Sequence, residues 1–236
     1  MLGNSEFPIS VKYRSTENSV YLLQSFFKIY SKLAFTHLTD RSVAISGLES
    51  RFASAFGTKV SYGISQRYLH WSILWQRSTA KRMERIEYSS EKEVPSWSWM
   101  AYEGEISYMD IRFEEVEWSD AIKWNPSKFP ELQGPVRGFR NCTIESQVAK
   151  CDISVTGADD ERGWLMFDRK DITNIEELKC VVVGRAYQRQ ETDGREYYIL
   201  VVKRKREGGP YERVGVGSIQ RRHISFEGEE FEGRVF

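Results

Sequence analysis

The chain is short of cysteine, of proline, and of any surplus of one charge sign. Three cysteines in 236 residues, Cys142, Cys151 and Cys180, form an odd set without metal-ligand spacing. That argues against a disulfide framework and reads as reduced, mostly buried thiols. Lys and Arg together number 34, as do Asp and Glu, so the formal net charge is zero. Without a basic excess to neutralise phosphates, nucleic acid is not an expected partner. No window approaches the roughly 18 uninterrupted apolar residues of a membrane span, so no membrane is expected either. Met1 to Ser10 has neither a basic n-region nor an apolar h-region, and the expected location is the cytoplasm. The sequon Asn141-Cys142-Thr143 is then expected to stay unglycosylated. The three histidines, His37, His70 and His223, have no carboxylate or second histidine at ligand spacing, so no metal is expected. A GxSxG elbow, a Walker loop and a complete GxGxxG are also missing. Gly215-Val216-Gly217 lacks the third glycine and the following helix, and no nucleotide cofactor is expected.

Aromatic rings are abundant instead: 7 Trp, 12 Tyr and 13 Phe. Apolar residues make up 40% and charged residues 29% of the chain, an ordinary balance for a folded protein with a core that needs no staples. Residues 1–14 read as an irregular lead-in. From Asn18 or Ser19, the residues Leu22, Leu23, Phe26, Phe27, Tyr30 and Leu33 recur at helical spacing. A second helix follows Thr39 or Asp40 as its cap, with Ala44, Leu48, Phe52 and Phe56 on one face and Gly57 at its end. Gly47 lies inside it and is expected to permit a close contact. A third helix, apolar nearly all round, is expected from about Ser65 to Arg77.

After a charged linker over 81–93 the period changes to two. Cys142, Ile144 and Val148, and then Cys151, Ile153 and Val155, alternate with polar residues as half-buried strands do. Apolar runs at Trp164–Phe167, Leu178–Val183, Tyr197–Val202 and Tyr211–Ile219 continue the strand pattern, with Asp193-Gly194 as a hairpin signal. Ile224 to Phe236 alternates weakly and either closes the sheet or frays. The segment from Trp118 to Arg140 holds three of the six prolines and fits neither period, so it is expected to be a long ordered loop. The expected fold is α+β: a helical N-terminal third, about 15–80, packed on a mainly antiparallel sheet or barrel-like region over 94–236, in a single domain.

Between these regions stands Val94-Pro95-Ser96-Trp97-Ser98-Trp99-Met100. If extended, it would place Trp97 and Trp99 on one face, where two indoles fix how the first part packs on the second. Upstream lies His37-Leu38-Thr39-Asp40-Arg41-Ser42-Val43-Ala44-Ile45-Ser46-Gly47-Leu48, and then Leu69-His70-Trp71-Ser72-Ile73-Leu74-Trp75. This order of blocks resembles the region downstream of the HET domain in fungal heterokaryon-incompatibility (HET) proteins. There an LT-D…A-I-S-G helix, an L-L-W helix and a P-S-W-S-W segment follow one another. The resemblance covers nearly the whole chain. It extends to the Gly163-Trp164-Leu165 segment, the hairpin to Tyr197-Tyr198, and Tyr211-Glu212-Arg213-Val214-Gly215-Val216-Gly217. The HET domain's own LSY-x-WG opening does not occur in these residues, so the cell-death activity linked to that domain is not implied. What the resemblance implies is a regulatory or recognition role with a protein partner.

The residues also support a second reading. Trp71, Trp75, Trp97, Trp99 and Trp164 either form a core cluster or line an electron-rich apolar cavity. A cavity of that kind suits an apolar secondary metabolite, whose developing cation the ring faces would stabilise. A cofactor-free cyclase or isomerase would then draw on His70, Tyr68, Tyr102 or Asp40 for proton transfer, with Arg41 beside the substrate. Read structurally, Asp40 is a cap, Arg41 an ion-pair partner and His70 a hydrogen-bonded core histidine. A homodimer is the third reading.

Overall fold

The computed structural model describes residues 15–89, 93–124, 131–146, 150–154, 163–170, 172, 174–188, 192–226 and 231–236. The expected lead-in over 1–14 lies outside them. Helix α1 (Thr16–Ser31) starts where the Ser15 hydroxyl accepts the Asn18 N–H at 3.2 Å, and it turns Val20, Leu23 and Phe27 inward. Helix α2 (Arg41–Phe56) ends at Gly57, which takes the left-handed conformation such an end requires. Its buried face runs through Arg41, Ile45, Glu49, Phe52 and Phe56, so the inward stripe is displaced from Ala44 and Leu48 to the next residues. Gly47 permits no close contact: a Cβ there would meet nothing within 4 Å.

Strands β1 (Val60–Ser61) and β2 (Ile64–Ser65) form a hairpin across Tyr62 and Gly63. Both turn residues have positive φ, 56° and 70°, as a two-residue type I′ turn demands. The helix expected over Ser65–Arg77 is reduced to one short turn, α3 (Leu69–Ile73), after which the chain becomes β3 (Trp75–Arg77). An apolar run that is buried all round satisfies both periods, and here tertiary pairing decides. The expected linker contains β4 (Glu84–Arg85), flanked by the buried Met83 and Ile86. β4 pairs with β5 (Tyr102–Glu103), and β3 pairs with β6 (Ile106–Tyr108).

The rest is strand: β7 (Val116–Trp118), β8 (Lys123–Trp124), β9 (Leu132–Gly138), β10 (Thr143–Ser146), β11 (Cys151–Ser154), β12 (Gly163–Phe167), β13 (Leu178–Ala186), β14 (Glu196–Arg204), β15 (Tyr211–Gln220) and β16 (Phe231–Val235). β9, β13, β14, β15 and β16 close into a five-stranded barrel, completed by the parallel contact of Tyr211 with Val235. The closing strand lies within the stretch expected either to close the sheet or to fray. The segment expected as a loop supplies β8 and β9, because strand pairing overrides the Gly and Pro residues that hide its period.

Two barrel strands fork. β13 pairs with β9 through its first half and with β7 through its second. β15 leaves β16 and pairs with β12, which carries β11 and β10 outward. Gly215 and Gly217 permit the second fork, since a Cβ on either would fall about as close as 2.5 Å to a β12 backbone oxygen. One hydrophobic cluster runs from Val20, Phe27 and Phe52 through Trp97 and Trp99 to Val181, Val202 and Val235, so helices and barrel share it. The fold is α+β, as expected.

Candidate functional site

The Val94–Met100 segment is not a strand. The Ser98 N–H donates to Pro95 O at 3.0 Å and the Ser98 hydroxyl caps Met100 N, so the chain turns and enters a 3₁₀ turn at Trp99–Ala101. Serine side chains compete in this way with the strand ladder. The two indoles therefore part company. Trp97 packs edge-on against Trp124 and Tyr62, whereas Trp99 packs against Phe27 and Tyr30.

Together the residues from Ser96 to Trp99 bond three parts of the fold: the barrel, Trp75 and the β1–β2 turn. The Ser96 hydroxyl donates to Phe236 O and accepts the Arg213 N–H, and Trp97 O accepts the Trp75 Nε1–H at 2.8 Å. The Ser98 hydroxyl donates to Tyr62 O at 2.7 Å and Trp99 Nε1 donates to Gly63 O at 3.3 Å. Gly63 is required there, because a Cβ would lie 2.2 Å from the Trp99 Nε1.

Helix α2 presents two buried charges at this junction, Arg41 and Glu49. Arg41, 2% exposed, donates to Tyr102 O and Ser31 O and lies 5.0 Å from the Trp99 ring centroid. It forms no ion pair among the described residues, contrary to the expected role, and burial depresses its pKa. Glu49 accepts the Gly63 N–H at 2.7 Å. Burial pushes its carboxyl up to about 7 despite that hydrogen bond.

A second centre lies between the tryptophans and the barrel. Arg213 and Asp168, 0% and 1% exposed at the side chain, form a two-pronged ion pair. Arg213 Nε reaches Asp168 Oδ2 at 2.9 Å and Nη2 reaches Oδ1 at 3.1 Å. The same guanidinium donates to the carbonyls of Ile73 and Trp75 and lies 3.4 Å from the Trp75 ring centroid. Arginine suits this place because its planar fork bonds in several directions and stacks at once. Tyr102 donates its hydroxyl to Arg213 O at 3.3 Å, and burial raises its pKa. Above the pair opens a cleft of about 310 Å³, lined by Arg85, Tyr102, Asp168, Arg169, Lys170, Ile172, Lys203, Glu212, Arg213 and Val214.

The residues expected to do chemistry do not converge. Asp40 is exposed and makes no side-chain cap hydrogen bond, correcting its expected capping role. Tyr68 is buried edge-on against Phe56. His70 Nε2 donates to Ser119 O at 2.8 Å while its ring stacks on Trp118, and burial lowers its pKa, as befits a hydrogen-bonded structural histidine. No hydrogen bond joins any two of Asp40, Tyr68, His70 and Tyr102 among the described residues.

Of the two readings of the tryptophans, core cluster or cavity lining, the core cluster describes the three on either side of the junction. Trp75, Trp97 and Trp99 are fully buried, each packed against neighbouring rings or a guanidinium. Trp71 stacks at 4.0 Å on Phe113 and borders a groove of about 260 Å³. Trp164 is half-buried on β12 beneath the Lys150 ammonium. Only Tyr102 of the expected residues faces the cleft over the Arg213–Asp168 pair. Among the described residues no group of three or more His, Cys, Asp or Glu is placed to hold a metal ion, and no helix is long and apolar enough to cross a membrane.

Arg213 and Asp168 escaped the sequence reading, although a signal was present. In β15 the period of two places Arg213 on the same inward face as Tyr211, marking it as a buried charge in need of a partner. Comparison with family models, with characterised proteins and with solved structures finds no match.

Proposed function

We propose that the protein acts in recognition or regulation, as a companion domain of the kind that follows the HET domain in fungal HET proteins, rather than as a catalyst. The observation that carries this reading is the dispersal of its acid–base groups, each tied to a different structural partner or left alone on the surface. Proton-transfer catalysis needs donor and acceptor around one reacting centre. Binding needs only a rigid surface, and the described residues offer two clefts on the barrel. One lies over Arg213–Asp168. The other, of about 290 Å³, sits in the fork where β13 changes partner, lined in part by Trp118, Arg137, Gly184 and Tyr197.

The cofactor-free cyclase or isomerase reading stands second, because the tryptophans that would line its cavity pack against one another and against arginine. Native mass spectrometry of the protein isolated from its own host, beside a denatured run, tests the proposal. A mass increased by a second, different polypeptide is the expected result, and a doubled mass would overturn it in favour of the homodimer. A stoichiometric apolar adduct of a few hundred daltons, converted to product on incubation, would overturn it in favour of catalysis.

A further inference from the structure

The cleft over the Arg213–Asp168 pair carries more cationic groups than the fold consumes. Five of its lining residues are basic and two acidic. Arg213 is matched by Asp168, and Lys203 of β14 by Glu177. Among the described residues Arg85, Arg169 and Lys170 form no ion pair, and Glu212 is the remaining carboxylate on the wall. Glu177, held by Lys203, also exerts some attraction on Lys170. The described residues of the cleft therefore carry a local positive surplus in a chain whose net charge is zero. Low-dielectric walls concentrate the field of such a surplus.

Arg85 is the most informative of the three. It extends from β4 with its guanidinium 5.8 Å from the Tyr102 ring centroid, and Nη2 donates to Val94 O at 3.3 Å. Its Nη1 is screened from solvent and has no acceptor among the described residues. A buried donor left unmatched costs about 1–3 kcal/mol, which an acceptor brought by a ligand would recover. Arg169 and Lys170 follow β12 as exposed residues at the mouth, free to close on an anion. Ile172, Val214 and the Tyr102 ring give the cleft an apolar side. Its volume of about 310 Å³ is near the lower end of the roughly 300–1,000 Å³ typical of ligand pockets.

We propose that this cleft binds a small phosphorylated metabolite, with the phosphoryl group held by Arg85, Arg169 and Lys170 and the organic part against Ile172 and Val214. A guanidinium fork and two further cations match an oxyanion carrying two or more charges better than a single carboxylate. The proposal rests on the recognition reading and gives it a ligand class, but its test is separate, since a polypeptide partner can be found whether or not the cleft takes an anion.

The test is calorimetric titration of the intact protein with inorganic pyrophosphate, with citrate in parallel. Wild-type protein is expected to bind one pyrophosphate saturably, at about millimolar affinity or tighter. The affinity should fall as salt rises from about 50 to about 200 mM. Arg85→Gln should weaken it about tenfold or more, and Lys170→Gln, at an exposed position that leaves folding intact, about threefold. Lys123→Gln, at an exposed position on β8 that lines neither cleft, should leave it unchanged. Absence of saturable binding, or unchanged affinity in Lys170→Gln together with a folded Arg85→Gln, would overturn the proposal. Citrate binding as tight as pyrophosphate would overturn the phosphoryl assignment.

Discussion

Glu49 should make the stability of this protein depend on pH near neutrality. Its carboxyl is buried between α2 and the β1–β2 hairpin, accepts only the Gly63 N–H among the described residues, and has no cation paired with it. Burial raises its pKa from 4.5 to about 7. The unfolded chain releases this proton near 4.5 while the folded chain keeps it until about 7. The favourable contribution is therefore complete below the lower value and is lost as pH rises through the upper one. A displacement of that size corresponds to roughly 3 kcal/mol. Glu49→Gln keeps an oxygen for Gly63 and removes the ionisation. Urea unfolding of both proteins across this range isolates the effect, because every other titrating group is common to them. The variant should gain roughly 3 kcal/mol relative to wild type between the acidic and the alkaline side. A difference that stays flat within about 0.5 kcal/mol would refute the reasoning and show that the ionised carboxylate is accommodated at no cost.

Arg213→Met should cost about 3–5 kcal/mol, since it leaves Asp168 buried without its partner, and adding Asp168→Leu should recover much of the loss; urea midpoints check both. Gly47→Ala should stabilise the protein by roughly 1 kcal/mol, because it lies in an α2 interior with open space around it. Gly63→Ala should destabilise it by at least about 2 kcal/mol, since it combines a positive φ with a collision against Trp99; thermal unfolding distinguishes the two. Ser98→Ala should cost about 1–2 kcal/mol by removing the donor to Tyr62 O, measured in the same way.

What was legible in the sequence was mostly local. The apolar stripe of α1 shows in its spacing but its start does not, since the cap is Ser15 rather than Asn18 or Ser19; Gly57 ends α2 as expected, because few other residues accept its backbone conformation. The alternation through Cys151 and Ile153 announces β11 because one face is buried and the other is not. The misreadings arise where contacts distant in sequence decide. Trp75 to Arg77 becomes strand because β6 pairs with it, and β9 survives Gly134 and Pro135 because β13 and β16 hold it on both sides. Trp97 and Trp99 diverge because Ser96 and Ser98 spend their hydroxyls on the barrel and on the β1–β2 turn. The cleft was hidden for the same reason. Its walls come from β4, β5, β14, β15 and the segment after β12, and no short motif contains them.

The Ser96–Trp99 segment and the Arg213–Asp168 pair tie the helical region to the barrel, and unfolding in a single cooperative step is the expected consequence. Equilibrium urea unfolding tests it most directly when followed by tryptophan fluorescence, which reports on the junction, and by far-ultraviolet circular dichroism, which reports on helix and strand together. Coincident single transitions in the wild type, both moved to lower urea by Arg213→Met, are the predicted result. Two separated transitions in the wild type, with the variant shifting only one, would contradict the account.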